Sequence, residues 1–133
     1  MIGMEFKMTE KGFVTNVEYG ELHVSGDEQY GFRPYQLLVS SIAVCSGGVL
    51  RKVLDKMRTP AADIQITAHV ERNEQEANRV EKIHLHFLIK GTNMDAEKVE
   101  KALAVTRKNC PMVQSVKDSI QITETYELSD NLV

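Results

Sequence analysis

From Leu37 to Leu50 the chain reads Leu-Leu-Val-Ser-Ser-Ile-Ala-Val-Cys-Ser-Gly-Gly-Val-Leu, an unbroken stretch without a charge. Whatever this stretch forms must be covered on nearly every side, and it is too long for an ordinary strand. Pro34 suits the first position of a helix, where its missing N–H leaves no bond unmade. Polarity returns at Arg51-Lys52, and Thr59-Pro60 closes the segment, so the spacing predicts a helix from Pro34 to Met57 or Arg58. Ser41, Cys45 and Gly48 fall at i, i+4 and i+7 and draw a line of small side chains down one face, where another helix or a small substrate can approach. Gly47-Gly48 is expected to loosen or bend the helix just past the cysteine, each glycine costing about 1 kcal/mol relative to alanine.

The segments around this helix read as strands and shorter helices. Met4-Phe6-Met8 alternates, and Phe13 to Val24 is a second strand-rich region, with Gly12 and Gly20 as turn points; together they predict an antiparallel unit of two or three strands. Ser25 to Phe32 is a loop leading into the helix. Beyond Pro60, Ile64, Ile66, Ala68 and Val70 share one face of a strand, and Ile83, Leu85, Phe87 and Ile89 share one face of the next, which makes a hairpin with one side buried and a charged connection over 72–79. Thr92 and Asp95 have capping-box spacing before a helix with a stripe at Ala96, Val99 and Leu103. Asn109-Cys110-Pro111 interrupts, Cys110 is a candidate N-cap for a short helix over 112–117, and Ile120 to Leu128 alternates as a closing strand, with residues 129–133 expected to fray. The whole, residues 1–133, reads as one α+β domain.

Composition excludes several functions. Sixteen basic and nineteen acidic residues, without a basic cluster, give no footprint for nucleic acid. The N-terminus alternates instead of presenting a long apolar leader, and the uncharged run is shorter than the ~20 residues of a membrane span, so the expectation is a soluble cytoplasmic protein with no membrane partner. In a reducing compartment, two cysteines are more often free, reactive or buried than bridged.

Those cysteines carry the chemistry. Cys45, mid-helix among apolar and small residues, is held as a thiol by desolvation, so a nucleophilic role needs a polar or cationic neighbour that its local sequence lacks; otherwise it is a small hydrophobe in the core. Cys110, at a helix N-terminus, has orphan N–H groups that favour a thiolate. His84 and His86 share a strand face with His69 on the partner strand, but no carboxylate or cysteine signature accompanies them, and no metal or cofactor is expected; solvent-facing or dimer-facing sheet positions are the simpler reading. His23 has no support as a base. Gly47-Gly48 lies within a helix and is no phosphate loop.

Pro34-Tyr35-Gln36-Leu37-Leu38, Cys45 eleven residues after that proline, and Asn109-Cys110-Pro111 near the C-terminus together resemble the OsmC/Ohr family of osmotically inducible and organic hydroperoxide resistance proteins. The likeness extends to the order of elements: strands, cysteine helix, hairpin, helix, Cys-Pro turn, last strand. It implies an OsmC-like fold of antiparallel sheets packed around a central cysteine-bearing helix, in an intertwined homodimer. It also implies a thiol-dependent peroxidase for organic hydroperoxides, with Cys45 peroxidatic, Cys110 resolving, and a dithiol reductant regenerating both. Family members place a glutamate directly after the helix-start proline and an arginine in the N-terminal half. This chain has Tyr35 at the glutamate position, and Arg33 is its only arginine before the helix, so these two are the substrate-binding candidates. The missing glutamate leaves open a second reading, a non-catalytic protein that binds a small apolar ligand in the groove beside the helix.

Overall fold

The computed structural model describes residues 3–130. They fall into two compact units, one up to Ser40 and one from Ser41 onward, and the chain passes from the first to the second within its long helix. The expected frayed end is in part strand, since Ser129 and Asp130 belong to the last strand; residues 131–133 lie outside the described residues.

The N-terminal unit is a three-stranded antiparallel sheet of β1 (Lys7–Met8), β2 (Phe13–Asn16) and β3 (Glu21–Val24), in that order. The two turns sit at the expected glycines. Thr9 N–H donates to the Gly12 carbonyl at 2.8 Å, and Val17 and Gly20 exchange a pair of backbone bonds at 3.0 Å. Gly12 is required by space: a Cβ there would come within 2.3 Å of the Val24 carbonyl oxygen, a backbone atom that cannot give way. The loop after β3 is fixed by its own side chains. Ser25 Oγ donates to the Lys11 carbonyl at 2.6 Å and accepts from Asp27 N–H, while Asp27 accepts from Gln29 N–H.

The second unit holds most of α1 (Pro34–Lys56), then β4 (Asp63–Asn73), β5 (Arg79–Gly91), α2 (Ala96–Asn109), α3 (Pro111–Val116) and β6 (Gln121–Asp130). Its sheet runs β4-β5-β6. β4 and β5 form the expected hairpin, antiparallel from Asp63↔Lys90 to Asn73↔Arg79, longer than the alternation alone indicates, with a register shift at Glu71/Arg72. β6 differs from the expectation of purely antiparallel sheets: it lies parallel to β5, from Lys82↔Gln121 to Gly91↔Asp130. The reason is topological. Two helices carry the chain from the end of β5 back to the level where β5 began, and a strand that starts there runs the same way as β5.

The buried face of this sheet is the alternating set Ile83, Leu85, Phe87 and Ile89 of β5, all fully buried. Against it α1 buries Ile42, Ser46, Leu50 and Leu54, one residue per turn, and α2 buries Val99, Ala102, Leu103 and Thr106. α1 passes through Gly47-Gly48 without a break in the helix. Gly47 instead sets the spacing to the sheet, because a Cβ there would sit 2.6 Å from Ile66 Cδ1. α1 ends as expected before Thr59-Pro60. Arg58 takes a left-handed conformation, φ 59°, and Thr59 N–H reaches back to the Leu54 carbonyl at 3.0 Å, the wider bond of a Schellman ending. α2 begins later than the Thr92 capping box predicts: Asp95 is its N-cap and accepts from Glu97 N–H at 2.9 Å. Asp is as good a cap as Thr, and here it lies nearer to the first apolar residue of the stripe.

Among the described residues, cover on nearly every side of α1 is not supplied. Its buried stripe is one residue wide, and Val44 is 71% exposed. The helix has the length and apolar character of a bilayer span, but it uses one face as the core of this sheet.

Leu50, fully buried at the middle of that face, tests the packing. Leu50→Ala should lower unfolding stability by about 2–5 kcal/mol. Arg58→Gly should raise it by about 0.5–1 kcal/mol by relieving the left-handed residue. Urea unfolding of both variants checks the pair of opposite signs.

Candidate active site

The second unit brings the two cysteines together. Cys45, half-buried, lies on α1 one position before the buried Ser46; Cys110, fully buried, occupies the single residue between α2 and α3. Cys110 serves both helices. It closes α2, its N–H donating to the Thr106 carbonyl at 2.8 Å, and it is the N-cap of α3, its carbonyl accepting from Gln114 N–H at 3.0 Å. Pro111 follows at the first helical position, as expected. Side chains lock the corner: Asn109 Nδ2 donates to the Val105 carbonyl and Gln114 Nε2 to the Arg107 carbonyl, each at 2.8 Å, and Val113 is buried beneath. Cys110 therefore sits in a rigid turn.

Both thiols are free, and the Cys110 thiol is near enough to Cys45 to act on its ionisation. The backbone N–H of Met112, in the first turn of α3, also acts on Cys45 and favours its thiolate. The sequence predicts that the orphan amides of α3 act on Cys110; the thiol of Cys110 makes no capping bond, and the amide of Met112 is aimed at Cys45 instead. The polar neighbour that Cys45 lacks locally is thus supplied from the far end of the chain. The only sequence signal for it is Pro111, which marks a helix start with unbonded N–H groups but not the direction in which they point.

These groups act on Cys45 in opposite senses. Burial pushes its thiol above the ordinary cysteine range, the Met112 N–H pulls it down, and the Cys110 thiol, through its hydrogen bond and its charge when ionised, pushes it up. Burial is the largest of these, so the resting state is a thiol, with one amide in place to receive charge on the sulfur. Beside it, Ser46 Oγ is buried and has no hydrogen-bond partner among the described residues.

The other candidates are Arg33, Tyr35 and the histidines. Arg33 and Tyr35 belong to the N-terminal unit, where the Arg33 guanidinium stacks over the Tyr35 ring at 4.9 Å. His84 and His86 share the exposed sheet face, as their spacing requires, with His69 opposite His84. Their ring nitrogens are engaged with β6: His84 with Thr123 and Thr125 at 2.6 and 2.9 Å, His86 with Thr125 at 2.7 Å. Among the described residues, no three His, Cys, Asp or Glu side chains gather as a metal site. His23 pairs with Glu21 on the exposed edge of the N-terminal sheet. A groove of about 460 Å³ runs along α1, between Val44, Gly48 and Arg51 on the helix and Ala62, Ile64 and Ile66 at the start of β4.

An α+β fold with two small sheets, a central helix carrying one thiol, and a Cys-Pro turn presenting a second thiol to it defines a dithiol protein. The chain belongs to the OsmC-like protein family, whose model matches residues 25–125. It is 24% identical over 96 residues to Protein YhfA of Escherichia coli (strain K12), covering 71% of this chain and 72% of that protein. Among solved structures, a hypothetical protein from Aquifex aeolicus VF5 superposes with a TM-score of 0.86 at 23% identity, over 98% of this chain and 97% of that one. The organic hydroperoxide resistance protein OsmC from Legionella pneumophila superposes with a TM-score of 0.71 at 15% identity, over 96% and 98% of the two chains. These likenesses establish the shared fold.

The opposing influences on Cys45 can be separated. In Cys110→Ala, the pH midpoint for alkylation of Cys45 by iodoacetamide should fall below that of the native protein, yet stay above about 8.5, the ordinary cysteine value, because burial persists. An unchanged midpoint would mean that the Cys110 thiol exerts no pull.

Proposed function

We propose that the protein is a thiol-dependent peroxidase for organic hydroperoxides, with Cys45 as the peroxidatic and Cys110 as the resolving cysteine. The observation that carries this reading is that the fold brings Cys110 and the backbone amide of Met112, 65 or more positions away in sequence, to act on the ionisation of Cys45. Family membership supports it, since the OsmC/Ohr family is associated with peroxide resistance and stress.

In the first step Cys45 loses its proton and its sulfur attacks the outer peroxide oxygen. The S–O bond forms as the O–O bond breaks, and the alkoxide leaves with a proton as the alcohol, so the peroxide is reduced and Cys45 becomes a sulfenic acid. The Met112 N–H favours the thiolate that must form, and burial opposes it. Peroxide consumption should therefore still be rising with pH at about 8.5, where an ordinary thiol is half ionised. In the second step the Cys110 sulfur attacks Cys45, the S–S bond forms, and water leaves. Because Cys110 is a neighbour of Cys45, this competes with over-oxidation. An external dithiol reduces the bridge and is itself oxidised.

Arg33 and Tyr35 stand in this proposal as the groups that receive the peroxide, their stacking holding the guanidinium in a fixed direction. The working form is a homodimer. α1 leaves Val44 and its neighbouring turns uncovered, and a second copy is the cover that such an apolar helix needs. The dimer is soluble and cytoplasmic, where dithiol reductants are available. A second reading has its own observation, the groove between α1 and β4, whose floor of Ile64, Ile66 and Ala62 suits a small apolar ligand without any thiol chemistry.

Peroxide consumption with dithiothreitol as reductant separates the two. Native protein should turn over cumene hydroperoxide, Cys45→Ser should not, and Cys110→Ser should lose activity during the assay as its Cys45 sulfenic acid over-oxidises. Arg33→Ala should slow turnover by roughly tenfold or more while leaving Tm nearly unchanged. If Cys45→Ser consumes peroxide as fast as native protein, the thiol reading fails and the groove becomes the better account.

A further inference from the structure

We propose that the cavity between the end of α1 and the start of α2 is a binding site for a small organic phosphate, its phosphoryl group held between Arg58 and Lys98. The cavity has a volume of about 460 Å³, and neither cysteine lines it. Arg58, Pro60 and Ala61 line it from the segment after α1, and Thr92, Asn93 and Lys98 from the approach to α2 and its first turn.

Both cations stand where local physics disfavours their residues. Among the described residues, Arg58, Ala77, Asn78 and Asn93 are the non-glycine positions with positive φ, at 59°, 59°, 57° and 56°. Ala77 and Asn78 are the central residues of the β4–β5 turn, closed by a bond from Arg79 N–H to the Glu76 carbonyl at 3.1 Å, and hairpin turns require that conformation. The other two, Arg58 and Asn93, both line this cavity. Asparagine adopts the left-handed region readily, but arginine is strained there, and a glycine would close α1 without that cost. Lys98 is the third residue of α2, where a cation opposes the positive end of the helix dipole. Both side chains are exposed, and neither makes a hydrogen bond or an ion pair among the described residues. Strain and adverse charge thus converge on one cavity, with no internal contact to offset them, as at ligand sites.

The lining selects the ligand. No acidic residue lines the cavity, although the chain carries a net charge of −3. Two cations match a phosphate monoester, which carries about −1.5 to −2 at neutral pH; a carboxylate would leave one of them unmatched. The Arg58 guanidinium has the fork for two parallel bonds to a phosphoryl group, Lys98 adds a point charge, and Thr92 and Asn93 bring further donors. Pro60 and Ala61 offer an apolar wall to the organic part, and the volume is that of a small-molecule site, larger than a bare ion needs.

Isothermal titration calorimetry of the full-length protein at low salt, with phenyl phosphate as the probe, tests the site. Native protein should bind phenyl phosphate roughly tenfold or more tighter than benzoate, which has the ring but one charge, and than inorganic phosphate, which has no ring. Arg58→Gly and Lys98→Gln should each weaken binding roughly tenfold or more, and Lys117→Gln, at a cation outside the cavity, should leave it unchanged. In Arg58→Gly the urea midpoint should rise as binding falls, a pair of signs that damage to the fold cannot produce. No saturable binding of phenyl phosphate, native affinity in Arg58→Gly and Lys98→Gln, or an equal loss in Lys117→Gln would overturn the site. Equal affinity for benzoate would overturn the phosphate, and equal affinity for inorganic phosphate the organic part. The inference stands apart from the thiol chemistry, so none of these results bears on Cys45.

Discussion

Cys45 and the Cys110-Pro111-Met112 turn are brought together so that a thiol and an amide N–H both act on one sulfur, and the chemistry of the molecule depends on that meeting. Each side of it is held by a separate packing constraint. On one side, α1 is fixed to the sheet by Ile42, Ser46, Leu50 and Leu54, and the close approach at Gly47 and Ile66 sets its height. On the other, Cys110 is both the end of α2 and the start of α3, so it cannot shift without disturbing backbone bonds of two helices. A thiol pair between two such supports is pre-organised, and little conformational freedom remains to be lost when they bond.

The electrostatics of the site favour a guarded nucleophile. Burial dominates and keeps Cys45 protonated, which protects it from casual oxidation. The amide of Met112 offsets part of that cost without adding a charge. A full cation beside the sulfur would make a more reactive thiolate. The Arg33 guanidinium is the nearest such group in sequence to the start of α1, and it is stacked on Tyr35 within its own unit. By the resemblance drawn from the sequence, Tyr35 stands where a family glutamate is expected, and a phenol cannot form the bidentate ion pair with arginine that a carboxylate can.

Much of the fold is legible in the sequence, because its elements have strong local signatures. The uncharged run with Pro34 in front gives α1, strict alternation gives β4, β5 and β6, and Cys110-Pro111 gives the corner before α3. What local pattern cannot carry is relation. Alternation in β6 is the same for either direction of pairing, so its parallel register with β5 follows only from the path of α2 and α3. The cap of α2 moved from Thr92 to Asp95 because both residues satisfy the same local rule. In the site, both cysteines are visible as residues of unusual setting, but the amide of Met112 has no side-chain signature at all. A backbone donor becomes a functional group only when the fold aims it.

The account's central claim is that Cys45 and Cys110 act as one redox pair. The most direct measurement is mass spectrometry of non-reduced peptides after the reduced protein has met one equivalent of organic hydroperoxide. The account predicts a Cys45–Cys110 disulfide within a single chain as the main product, with one alcohol formed per bridge. Two free thiols in the presence of excess hydroperoxide, or a bridge joining two chains in its place, would contradict it.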